Sequence, residues 1–112
     1  MVPAAHATLR RAIEFVDARS GLDIDVDDIA RDAGVTARAI QSAFRRHLDL
    51  TPTAYMRELR LQGAHEQLRA ARPEDGMTVT RVALDWGFGN PSRFAAYYRA
   101  VYGRPPGETL RG

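Results

Sequence analysis

Arg38, Gln41, Ser42 and Arg45 fall at spacings that share one face of a helix. Arginine and glutamine are the side chains that make bidentate hydrogen bonds to guanine and adenine edges. Arginine also forks onto phosphate. Four such groups on one helix face suit the major groove of DNA. The helix that must carry them runs over about 37–48, with Thr36 as its N-cap. Ile40, Ala43, Phe44 and Leu48 recur at three- and four-residue spacing and turn inward, which leaves the polar set facing out. A shorter helix over about 26–33 precedes it. Asp25 is placed to cap that helix, and Asp28 falls in its first turn, where acids are favoured. Gly34 follows, where the chain needs positive φ. Helix, tight turn and second helix make a helix-turn-helix.

Other chemistries find little support. There is no cysteine, which removes disulfides, thiolate metal sites and cysteine nucleophiles. His6, His47 and His65 form no HxxxH or HExxH pattern. No nucleophile–base pairing or phosphate-cradling glycine loop is present, so neither an enzyme, a metal nor a cofactor is expected. No apolar run is long enough to span a membrane and no signal-peptide core stands at the N-terminus. A cytoplasmic, nucleoid-associated protein is the expectation.

The 112 residues suffice for one domain or two small helical lobes without a metal or disulfide staple. Net charge is only +2, so distribution matters more than the total. All 16 basic residues are arginine. A GC-rich genome accounts for that choice without any mechanism. The acids gather early: Glu14, Asp17, Asp23, Asp25, Asp27, Asp28 and Asp32 lie in the first third. One end of the molecule should be negative and another positive.

The first helix is expected over about 5–19, with Leu9, Ala12, Ile13 and Val16 as its apolar stripe and Gly21 as its stop. Arg10, Arg11, Glu14 and Asp17 read as its solvated face. Leu22 and Ile24 lead into the helix-turn-helix. Thr51-Pro52 then opens a long helix to about residue 71, with Tyr55, Leu59, Ala64, Leu68 and Ala71 keeping its period. At 1.5 Å per residue it forms a rod of about 31 Å. Gly63, in mid-helix, marks close helix packing or a bend. Arg72-Pro73 stops the rod and Glu74-Asp75-Gly76 turns the chain.

The remainder repeats the opening theme. Ile29-Ala30-Arg31-Asp32-Ala33-Gly34-Val35 matches Val82-Ala83-Leu84-Asp85-Trp86-Gly87-Phe88. After one extra residue Ile40 corresponds to Phe94, Phe44 to Tyr98, Arg45 to Arg99 and Pro52 to Pro106. Thr78 caps a short helix through Trp86. Asn90-Pro91 caps and starts another to about residue 102, and Gly103 with Pro105-Pro106 ends it before a last short helix. One such pattern is weak and two are strong. Major-groove segments on one face of B-DNA recur every 34–36 Å, close to the length of the rod.

The IARDAGV turn, the AIQSAFRRHLDLTPTAYMRELRL stretch and the VALDWGFGNPSRFAAYYRAVYGRPP stretch together resemble the C-terminal DNA-binding domain of the AraC/XylS family of bacterial transcription regulators. The resemblance covers nearly the whole chain. It implies an all-α, seven-helix, homeodomain-like fold: a first helix-turn-helix lobe over 1–50, a linker helix over 51–72 and a second lobe over 73–112. It implies double-stranded promoter DNA as partner, with RNA polymerase and a preceding sensor or dimerisation domain as further ones. Base contact is implied for Arg38, Gln41 and Ser42, and for Ser92, Arg93 and Ala96 in the second lobe. Two residues depart from the family pattern. Asp49 stands where a glycine is usual at the end of the first recognition helix, and Pro91 occupies an early position that is often polar. Ala96 offers only apolar contact, such as to a thymine methyl. The first lobe is therefore expected to discriminate more and the second to anchor more.

Arg45 and Arg99 share a repeat position and suit phosphate, which takes at least half of protein–DNA hydrogen bonds. Thr36 and Asn90 are caps whose helix N-termini also turn amides toward phosphate. Arg46 reads as a partner for an acid of its own lobe. Arg57 and Arg60 are read either as phosphate contacts or as ion-pair partners of Asp32 or Asp85. Trp86, Phe88, Phe94, Tyr98 and Tyr102 read as core, and His47 as a surface residue. The competing function is a helical protein-interaction module, an adaptor for polymerase or a regulator without specific DNA readout.

Overall fold

The computed structural model describes residues 4–19 and 23–112. Among the described residues every regular element is helical: α1 (Ala4–Ala18), α2 (Val26–Ala33), α3 (Ala37–Leu48), α4 (Pro52–Ala70), α5 (Val79–Asp85), α6 (Pro91–Tyr102) and α7 (Pro106–Arg111), with a 3₁₀ turn at Pro73–Asp75. Gly21 and Leu22, the expected stop of the first helix and lead into the second, lie outside the described residues. None of these helices is long and apolar enough to cross a membrane. The chain divides into two compact units, 1–59 and 60–112.

The helix starts are fixed by local chemistry. Asp25 and Asp28 form a reciprocal capping box: each carboxylate accepts the other's backbone N–H, both at 3.0 Å. Thr36, Thr51, Thr78 and Asn90 each accept the amide three residues on, at 3.0–3.1 Å. The turns are equally local. Gly34 and Gly87 sit at φ of +70° and +82°, which ends α2 and α5 and lets the following helix reverse direction.

In the first unit α1, α2 and α3 close on a core of Leu9, Ala12, Val16, Ile29, Ile40, Ala43 and Phe44. Met56 of α4 completes it, with Tyr55 and Leu59 against its edge. Phe44 is fully buried, a contribution of about 1.5–3 kcal/mol. The Tyr55 hydroxyl donates to Asp17 on α1 at 3.2 Å. Burial, then the Asp17 carboxylate, pushes the phenol up to about 12.

In the second unit Leu61, Ala64 and Leu68 of α4 pack with Val82, Ala83, Phe94 and Tyr98. The duplication therefore reaches further than the turn. Leu9, Ala12 and Val16 are to the first core what Leu61, Ala64 and Leu68 are to the second, at the same three- and four-residue steps. Each lobe is a three-helix unit, and α4 serves both. It ends one residue earlier than expected, and its 19 residues span about 28 Å. Gly63 marks close packing: a Cβ there would collide with the Trp86 ring. The Trp86 indole N–H donates to Gln67 at 2.6 Å, which fixes the ring in place. Phe94 and Tyr98 are fully buried, whereas Trp86, Phe88 and Tyr102 are half-buried against them.

Candidate nucleic-acid interface

Helices α3 and α6 each contain no acid. Both bury one aromatic stripe, Ile40 with Phe44 and Phe94 with Tyr98, and so turn a defined opposite face outward. On α3 that face holds Arg38, Gln41, Ser42 and Arg45, all exposed. Together with Thr51, the N-cap of α4, they line an open depression of about 400 Å³. Thr51 was not legible as part of this surface, because its capping role hid a second one. On α6 Ser92, Arg93, Ala96 and Arg99 are exposed, as are Ala100 and Val101 near its end. Arg93 and Asn90 join Gly87, Phe88 and Gly89 around a second depression of about 260 Å³. The caps Thr36 and Asn90 are exposed at the head of each helix.

Four arginines among the described residues are engaged in ion pairs. Arg11 pairs with Asp32 at 3.5 Å, Arg31 with Asp28 at 3.2 Å, Arg69 with Glu66 at 3.4 Å and Arg81 with Asp85 at 3.1 Å. Among the described residues Arg38, Arg45, Arg93 and Arg99 carry no ion pair, so their guanidinium groups remain available to an anion. Arg46 is likewise exposed and without the acid partner expected for it. Asp32 is paired with Arg11 and Asp85 with Arg81. Asp85 also accepts from Gln67 at 3.3 Å. The Asp28 carboxyl is held below its ordinary range, chiefly by the Asp25 amide and further by Arg31. Asp25, Asp28 and Asp32 around α2, Glu66 on α4 and Asp85 on α5 are thus engaged in caps or ion pairs.

The departures have physical consequences. Asp49 adopts φ of +55° at the end of α3, among the described residues the only non-glycine with positive φ, and Gly103 holds the same place after α6 at +77°. Asp49 is exposed and lets its own N–H close on Arg45. Pro91 is half-buried at the first position of α6, where its missing N–H removes no bond the helix would use. His47 is exposed, its ring stacked on that of His6 with centroids 5.4 Å apart.

Residues 29–112 match a family model described as a helix-turn-helix domain. The chain is 34% identical over 110 residues to the probable thc operon regulatory protein of Rhodococcus erythropolis, covering 97% of this chain and 32% of that protein. It therefore spans about a third of the length of the curated relatives it matches. In three dimensions it is similar to a probable AraC family transcriptional regulator from Rhodopseudomonas palustris, with a TM-score of 0.86 and 35% identity over 94% of this chain and 95% of that one. It shares its fold with the DNA-binding domain of AdpA, a global transcriptional factor solved in complex with a target DNA, at a TM-score of 0.75 and 20% identity over 93% and 90% of the two chains.

Proposed function

From the premise that this chain belongs to the AraC/XylS family and is a helix-turn-helix domain for sequence-specific DNA binding in transcription regulation, we propose that α3 and α6 enter adjacent major-groove segments of one asymmetric promoter site. The observation that carries the proposal is the pair of acid-free helices whose outward arginines, Arg38, Arg45, Arg93 and Arg99, have no carboxylate partner among the described residues. Arg38 and Gln41 read base edges, with Ser42 beside them. Ser92 and Arg93 do so in the second lobe, and the Ala96 methyl packs on thymine. Arg45 and Arg99, one turn on, hold phosphate, as do the helix N-termini at Thr36 and Asn90. Long side chains on α3 give the first lobe more discrimination; short ones on α6 give the second more of an anchoring role.

The family is one of DNA-binding regulators and not of enzymes. A sensor or dimerisation domain in the full regulator and contact with RNA polymerase belong to the same proposal. It is supported by relatives three times this length that are named as operon regulators. Promoter DNA as target places the working protein in the cytoplasm, on the nucleoid. Selection of bound sequences from a random DNA pool tests the proposal. Enrichment of a bipartite site, with affinity that falls steeply as salt rises, is expected. Salt-dependent binding with no enriched sequence would return the chain to the adaptor reading.

A further inference from the structure

We infer that the Tyr98 hydroxyl is a positioning group for DNA reading: it fixes the rotation of α6 about its own axis and so decides which side chains meet base edges. The inference rests on the DNA-reading function proposed above. Tyr98 is fully buried at the repeat position that Phe44 fills in the first lobe. Phe44 only packs. The Tyr98 hydroxyl lies 2.7 Å from Nδ1 of His65 on α4 and 2.6 Å from Oγ1 of Thr109 on α7. Thr109 is itself buried, and the His65 ring stacks on Tyr102 with centroids 4.0 Å apart. A hydroxyl both donates and accepts, so the chain of bonds closes for either histidine tautomer. The second recognition helix is thus tied from two sides by directional bonds, at a position where the first has only the apolar ring of Phe44.

Geometry says why the second lobe gains from this. A helix with side chains has a radius of about 5–6 Å, so a roll of roughly 20° carries a surface atom about 2 Å. The useful window for a hydrogen bond is about half an ångström wide. Arg38 and Gln41 can recover such a displacement by changing rotamer. Ala96 cannot, and Ser92 can only swing a hydroxyl two bonds from its Cα, a far shorter reach than that of arginine or glutamine. Short readers need a helix that does not roll, and apolar burial by itself is non-directional.

Tyr98→Phe would leave the buried Thr109 hydroxyl short of a partner and lower stability for that reason alone. The informative variant is therefore Tyr98→Phe with Thr109→Val, which replaces the two buried hydroxyls by apolar groups of similar shape and leaves only the half-buried His65 ring nitrogen to bond water. Its base preferences are measured on a randomised pool beside those of the parent chain, and amide shifts along α6 are followed by NMR. The double variant is expected to fold, to keep the half-site preference of the first lobe and to lose about fivefold or more in preference at the second. Shifts should change along the α6 backbone. Thr109→Val alone, which keeps the His65 bond, should give a smaller loss of the same kind. Unchanged preference at the second half-site would overturn the inference. Unchanged α6 shifts would do so even if the parent selected no sequence, an outcome that would separately refute the DNA-reading premise.

Discussion

Gly63→Ala reverses the sign that helix propensity alone assigns. In an open helix interior the substitution stabilises by about 1 kcal/mol. Here the added methyl points into the face of Trp86, which is held by its bond to Gln67 at 2.6 Å. The ring must move, and overpacking of this kind costs about 1–3 kcal/mol. Displacing the indole also weakens a hydrogen bond worth about 1 kcal/mol. The sum is a net loss of about 1–3 kcal/mol in the second lobe. Trp86 is the chain's one tryptophan, so its fluorescence during urea unfolding reports directly on that lobe. Combining Gly63→Ala with Trp86→Leu should recover part of the loss, a coupling between touching residues that a double-mutant cycle reads out when unfolding is followed by helical circular dichroism, which does not need the indole. A Gly63→Ala protein more stable than the parent would refute the close-packing argument.

Asp49→Gly should stabilise the first lobe by about 0.5–1 kcal/mol in urea unfolding followed by helical circular dichroism, because it relieves a side chain held at positive φ. An unchanged midpoint would mean that aspartate tolerates the conformation freely. Asp28 has a lowered pKa in the folded chain, so its contribution is present above the unfolded carboxylate value and is lost as pH falls through the folded one. Asp28→Asn should flatten that acid slope in a pH series of unfolding midpoints. Tyr55, raised to about 12, stays protonated in the folded chain where the unfolded chain has ionised. Stability should fall as pH rises from about 10 toward 12. Tyr55→Phe should remove the corresponding late step from the absorbance titration. Arg38→Ala should relax preference at one or two base positions by about 1–3 kcal/mol each and leave the melting curve in place. Preference unchanged at every position would take Arg38 out of the reading set.

Features set within a few residues were legible in the sequence. Asp25, Thr36, Thr51, Thr78 and Asn90 are caps because an oxygen three residues ahead of an amide is a local matter. The outward face of α3 followed from the spacing of Ile40, Ala43 and Phe44. Features that depend on which helices meet were not. Met56 and Leu61 went unmarked because α4 serves two cores in succession and has no single stripe along its length. For the same reason the match of Leu9, Ala12 and Val16 to Leu61, Ala64 and Leu68 was passed over, though it stands in the sequence. Gly63 could be read as a bend or a contact until Trp86 was placed against it. The pairs Arg11–Asp32 and Arg81–Asp85 depend on how the helices meet and on side-chain direction, which spacing along the chain does not give.

Guanine methylation interference on the selected duplex examines most directly whether one chain reads two groove segments. Arg38 with Gln41 and Ser92 with Arg93 should give two patches of interference on one face of the DNA, their centres about one helical turn, 34–36 Å, apart. A single patch, or two patches at a spacing that puts them on opposite faces of the duplex, would contradict the proposed use of α3 and α6.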